Sequence, residues 1–132
     1  MQTMLAVCHP WQCDIMGHLN TRFYAALFDD ASLQFLGMLT LDGDRHLGWA
    51  DVKIDTTFKK EVHAGTLLSV DTQLVRLGRS SITYQHTIRS RTSDDILAEA
   101  IVTSVRFDLD QRQSVEISPV IKRLAEELTE NR

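Results

Sequence analysis

Between Pro10 and Pro119 the chain contains no proline, and within that span its hydrophobic period changes once. From about Thr21 to Met38, Tyr24, Leu27, Phe28, Ala31, Phe35 and Met38 recur in steps of three and four, the mark of a helix with one apolar face. Asn20 is placed to cap it, because its side-chain oxygen can accept from a backbone N–H left without a helical partner. Gly37 or the Asp42-Gly43-Asp44 turn is expected to end it. At ~1.5 Å per residue the helix is about 27 Å long, enough to cross a whole sheet.

From Gly48 the period becomes two. Ala50, Val52, Ile54 and Phe58 form one side of a first strand. Leu68, Val70, Thr72 and Leu74 form one side of a second, and Ile82, Tyr84, His86 and Ile88 one side of a third. The run Ile96 to Phe107 is apolar on both sides and predicts a central strand covered on both faces. Ser118-Pro119 opens a last helix, Val120 to about Thr129. The order is short strand, long helix, four long antiparallel strands, short helix: an α+β chain with one sheet and one covering helix. One helix cannot cover both faces of such a sheet, so a second copy is expected to complete its burial, as a dimer or a dimer of dimers.

Composition narrows the function. The 132 residues suit one domain, 1–132, and 43% hydrophobic residues suffice for a core. Fourteen basic against 18 acidic residues give a net charge of −4, which argues against nucleic acid as a partner. No apolar run approaches the ~20 residues that span a membrane, and the N-terminus lacks a signal-peptide pattern. Cys8 and Cys13 are too few for a disulfide framework and lack metal-ligand spacing, so a reducing cytoplasm and no metal are expected.

Chemistry concentrates in Trp11-Gln12-Cys13-Asp14-Ile15-Met16-Gly17-His18-Leu19-Asn20, which feeds the long helix. A helix start carries free N–H groups and partial positive charge, able to polarise a carbonyl and hold the negative charge that develops on attack. A carboxylate beside it can attack the carbon or take a proton from water. Gly17 allows close approach of the backbone. On spacing alone a turn, a cap and a surface imidazole are the favoured reading of the segment.

The string Trp11-x-x-Asp14-x-x-Gly17-His18-x-Asn20-x-x-x-Tyr24, followed by Phe28-x-x-Ala31, resembles the hotdog-fold acyl-CoA thioesterases of the 4-hydroxybenzoyl-CoA thioesterase-like family. The likeness continues through Leu74-Val75-Arg76-Leu77-Gly78-Arg79-Ser80-Ser81 and Leu97-Ala98-Glu99-Ala100, over about residues 5 to 125. It implies a sheet wrapped around one long helix and hydrolysis of an acyl-CoA thioester, with CoA as part of the substrate and no separate cofactor. It implies Asp14 as nucleophile or general base, His18 orienting the thioester or the carboxylate, and backbone N–H groups near Asn20 and Thr21 polarising the carbonyl. It also implies a site built between two subunits. The family often has two adjacent asparagines after the histidine, where this chain has Leu19-Asn20-Thr21-Arg22.

Residues 53–91 hold seven Lys and Arg against three acids, a local +4. CoA phosphates need such a patch, and the resemblance leads the nucleotide past Arg79, Ser80 and Ser81, with Lys59 and Lys60 as further contacts. A solvated strand edge is the plain alternative. Trp11, Tyr24 and Trp49 are candidates for an acyl pocket. Asp29 and Asp30 are assigned to a solvated helix face, His86 to the core, and His9 and His46 have no partner at useful spacing. Two rival functions remain: a non-catalytic acyl-CoA-binding or assembly module, and a dehydratase, which would need an Asn-Pro pair absent here.

Overall fold

In the computed structural model residues 1–40 and 43–130 are described. The chain forms β1 (Gln2–Val7), a single 3-10 turn (Pro10–Gln12), α1 (Thr21–Leu39), β2 (Leu47–Phe58), β3 (Leu67–Leu77), β4 (Ser81–Ser90), β5 (Ile96–Asp108), β6 (Gln113–Ser114) and α2 (Pro119–Glu130). One antiparallel sheet has the order β1-β3-β4-β5-β2, with β6 paired to β5. Helix α1 begins at the expected residue, where Asn20 Oδ1 accepts from the Arg22 N–H at 3.1 Å. It ends at Leu39, where the Thr40 N–H returns to the Gly37 carbonyl; Asp42, the first residue of the alternative stop signal, lies outside the described residues.

The core is the interface between α1 and one face of the sheet. Tyr24, Phe28, Ala31, Phe35 and Leu36 of the helix are buried with Leu68, Val70, Ile82, Tyr84, Ile88, Ala98, Ala100 and Val102. Full burial of a side chain such as Phe35 stabilises the fold by roughly 1.5–3 kcal/mol, and truncation to Ala would cost about 3–5 kcal/mol once the cavity is included.

Three features differ from the sequence reading. β5 lies next to the edge strand β2, and its burial is mainly on the helix-facing side; on the other face Leu97 is buried but Ile101 is 41% exposed. Second, β2 does not keep one parity. Asp51 pairs with Ser104 and Lys53 with Thr103, so Val52 is an extra residue, a bulge. Trp49 and Asp51 before it, and Ile54, Thr56 and Phe58 after it, therefore share the helix side, whereas the sequence put Ala50 and Val52 with Ile54. Third, the two-residue β6 carried no period to read.

Candidate active site

The loop from Cys13 to Leu19 is closed by a backbone bridge between its ends and by the Asp14 N–H donating to the His18 carbonyl at 2.8 Å. Inside it the Asp14 side chain folds back: Oδ1 accepts from the N–H of Met16 at 2.9 Å and of His18 at 3.2 Å. These bonds fix the carboxylate and leave Oδ2 for chemistry. Gly17 makes the turn possible at φ +80°, where a side chain would be strained. The Leu19 N–H donates to the Val62 carbonyl at 2.8 Å, which ties the loop to the segment after β2.

At the start of α1 most donors are spent. The Asn20 N–H bonds the Gln12 carbonyl at 2.9 Å, and the Arg22 N–H bonds Asn20 Oδ1. The Thr21 N–H is left, with no protein acceptor among the described residues. Of the expected Asn20 and Thr21 donors, only Thr21 is thus available.

A cleft of about 340 Å³ brings together Asp14, His18, Thr21, Tyr24, Lys59 and Lys60 with Glu61, Phe58 and Met16. Through Thr21, Tyr24 and Phe58 it runs into a narrower, more apolar pocket of about 110 Å³ between α1 and β2, lined also by Phe28, Ile54 and Val102. That pocket reaches Asp29, Ser32 and Asp51, which open onto a third hollow beside Trp49. Asp29, assigned from sequence to a solvated face, is exposed but lines this groove. Trp11 stacks on His9, with ring centroids 5.7 Å apart, outside it.

Arg79, Ser80 and Ser81 lie elsewhere. Ser81 pairs with Val105, whereas the Lys59 and Lys60 N–H groups both bond the Leu97 carbonyl. Eight residues of one strand separate these ends, roughly 26 Å at ~3.3 Å per residue. Within one chain the structure does not bring Arg79, Ser80 and Ser81 to Asp14. Lys60 Nζ meets Asp95 Oδ2 at 3.2 Å, so part of the cleft's positive charge is already paired.

Glu61 was not singled out in the sequence, and His63 was grouped there only with the mid-chain basic residues Lys59, Lys60, Arg76 and Arg79. Glu61 Oε2 lies 3.2 Å from His18 Nε2, and the His18 and His63 rings meet edge to face at 5.0 Å. Their positions two apart beyond β2 were the available signal, but only the fold shows that they face His18. His46, expected to stand alone, pairs with Asp110 on the β5 turn.

The core side of the groove is polar along a hydroxyl chain. Ser32 Oγ contacts His86 Nε2 at 2.8 Å, His86 Nδ1 contacts Thr72 Oγ1 at 2.7 Å, and Thr72 Oγ1 contacts Thr3 Oγ1 at 2.9 Å. Thr3 donates onward to the Val70 carbonyl. A second chain runs from Tyr84 through Ser104 to Asp51. Burial pushes the His86 imidazole down to about 4, so it sits neutral in the core. Burial, with Cys13 3.7 Å away, pushes the Cys8 thiol up to about 11, which leaves it protonated and unsuited to nucleophilic attack.

A family model described as the thioesterase-like superfamily matches residues 8–124. No curated protein matches the chain by sequence. Solved structures share the fold at low identity. YbaW, a probable thioesterase of Escherichia coli, is 19% identical, with 98% of each chain covered and a TM-score of 0.83. A 1,4-dihydroxy-2-naphthoyl-CoA thioesterase from Synechocystis is 15% identical, with 95% of each chain covered and a TM-score of 0.80. A Staphylococcus aureus protein solved in complex with CoA is 13% identical, with 100% of this chain and 86% of that one covered and a TM-score of 0.88. The sheet wrapped around α1 is the hotdog fold. Among the described residues no helix is long and apolar enough to cross a membrane.

Proposed function

The chain belongs to the thioesterase-like superfamily, whose general activity is thioester hydrolysis, and we propose that its substrate is a small or medium acyl-CoA, with Asp14 as the reacting carboxylate. The observation that carries this reading is the placement of Asp14: one oxygen is pinned by two backbone N–H groups, and the cleft it lines also holds Thr21 at the start of α1. The thioester oxygen would sit at the Thr21 N–H, where the helix dipole favours the charge that develops on attack. Either water loses a proton to Asp14 Oδ2 as it attacks the thioester carbon, or Oδ2 attacks and water opens the resulting anhydride. Both routes break the C–S bond and release the acid and CoA. His18, held by Glu61, orients the thioester, with Glu61 as its positioning residue. No metal or redox cofactor enters this mechanism, because a thioester carbonyl is already activated.

The pocket of about 110 Å³ behind Tyr24 supports a small acyl group. A likeness to a protein solved with CoA supports the nucleotide half of the substrate. Lys59 and Lys60 at the cleft, with Arg79, Ser80 and Ser81 from a second copy, would meet its phosphates. That second copy would sit along β2, an edge strand on which Val52, Ile54 and Phe58 are 51–61% exposed. The free thiols of Cys8 and Cys13 support a reducing, cytoplasmic setting.

Asp14→Asn tests the assignment. It should lower kcat by roughly two to four orders of magnitude while KM changes little, since a group acting only in the transition state is lost. Asp30→Asn, on the exposed side of α1, is the control. Single turnover in heavy-oxygen water would label Asp14 only if it is the nucleophile. Retained activity in Asp14→Asn overturns the site, and absence of hydrolysis on every acyl-CoA offered to the wild type leaves a binding module.

A further inference from the structure

We propose that His18, Glu61 and His63 form a binding site for a divalent transition-metal ion of the zinc type, and that its occupancy switches hydrolysis off. The first half stands on the geometry alone, and the second rests on the thioesterase reading. One donor atom from each of the three side chains lies within 4.8 Å of the other two. A tetrahedral zinc site with ligands at ~2.0–2.2 Å sets neighbouring donors roughly 3.4 Å apart, so modest side-chain rotation closes this set around an ion.

The backbone presents the donors from fixed positions. His18 and His63 are partners in an antiparallel bridge, next to the bond from the Leu19 N–H to the Val62 carbonyl. Glu61 stands two residues before His63, on the same side of an extended segment. Glu61 is 68% exposed and paired to His18, whose side chain is only 22% exposed. Two imidazoles and one carboxylate are the ligand set of open zinc sites, with a fourth position left for water. The same set is poor for magnesium or calcium, which take oxygen ligands. An ion here would take up the Nε2 lone pair of His18 and place positive charge in the cleft that Asp14 lines. His18 could then no longer orient a thioester.

Competition against a chromophoric zinc chelator tests the site. The wild-type chain should bind one zinc ion at micromolar concentration or tighter, with no competition from magnesium. His63→Ala should weaken binding by at least roughly tenfold, no less than the loss of an outer-shell partner costs a metal site. His63 touches no reacting group, so that variant should hydrolyse acyl-CoA normally without zinc. Activity is followed at the thioester absorbance, because the released thiol itself binds zinc. Equimolar zinc should abolish most wild-type hydrolysis, a chelator should restore it, and His63→Ala should resist. Equal zinc affinity in wild type and His63→Ala, or no binding at micromolar zinc, overturns the site. Binding through His63 with undiminished hydrolysis overturns the inhibitory half. A chain that hydrolyses no thioester at all fails the thioesterase reading, while the chelator competition still decides the site.

Discussion

His86 has both ring nitrogens engaged by hydroxyls and no exposed surface. Its burial carries a pH dependence whose sign is fixed. In the unfolded chain the imidazole titrates near 6.5, in the fold near 4. Between those values the unfolded state binds the proton and the folded state does not, so stability is full above about pH 6.5 and falls as the pH drops towards 4. The loss attributable to this one group is about 3 kcal/mol. Denaturant melts across that window should show the slope, and His86→Gln, which keeps an amide between the two hydroxyls, should flatten it. A slope unchanged in His86→Gln would assign the dependence to other groups. The sequence made His86 a core residue because it alternates with Ile82, Tyr84 and Ile88. Its partners Ser32 and Thr72 were not legible, since 54 and 14 residues separate them from it.

At the scale of elements, α1 and β2 show why some structure is legible and some is not. Helix α1 follows local rules: a period of ~3.6 residues and a capping residue at its start. Asn20→Ala should cost about 1 kcal/mol by denaturant midpoint, Asn20→Gly only a few tenths, and Asn20→Asp close to nothing. Equal midpoints for Asn20 and Ala would mean that the Gln12 carbonyl and tertiary packing alone hold the helix start. β2 was recognisable as a strand, but its bulge at Val52 is a property of pairing with β5 and leaves no local mark. The groove depends on it, because the bulge sets both Asp51 and Ile54 on the helix side. The Asp14 loop lies between these cases: its residue types were readable, while its tie to Val62, and hence Glu61 and His63, needed the tertiary fold.

At the scale of the whole molecule, the separation of Arg79 from Asp14 becomes a test of assembly. If CoA spans two copies, Arg79→Ala should raise KM and Asp14→Asn should abolish turnover. A hybrid dimer carrying one substitution in each chain would then hold one site with both defects and one with neither. The hybrid, purified from a co-refolded mixture, should show wild-type KM at about half the wild-type rate per dimer, since changes in KM without kcat report binding remote from the reacting carbon. A purified hybrid that keeps the raised KM would place Arg79 in its own chain's site, and light scattering of a monomer at micromolar concentration would remove the shared site. The doubly apolar run from Ile96 to Phe107 and the single covering helix pointed to a second copy, but no residue pattern in a single sequence says which face it covers.

The two hydroxyl chains in the core have a direction. A carbonyl and a carboxylate only accept, so the Thr3 proton goes to Val70 and the Ser104 proton to Asp51. With the Thr3 proton there, one arrangement completes the first chain: Thr72 gives its proton to Thr3, His86 Nδ1 to Thr72, and Ser32 to Nε2. In that arrangement the neutral imidazole carries its proton on Nδ1 and the Ser32 proton points into the core, while the Ser104 proton points to Asp51 at the groove. At its inner end Asp29 and Asp51 offer only acceptors, and in that arrangement so does Ser32. Whatever reaches that end has to bring the hydrogens.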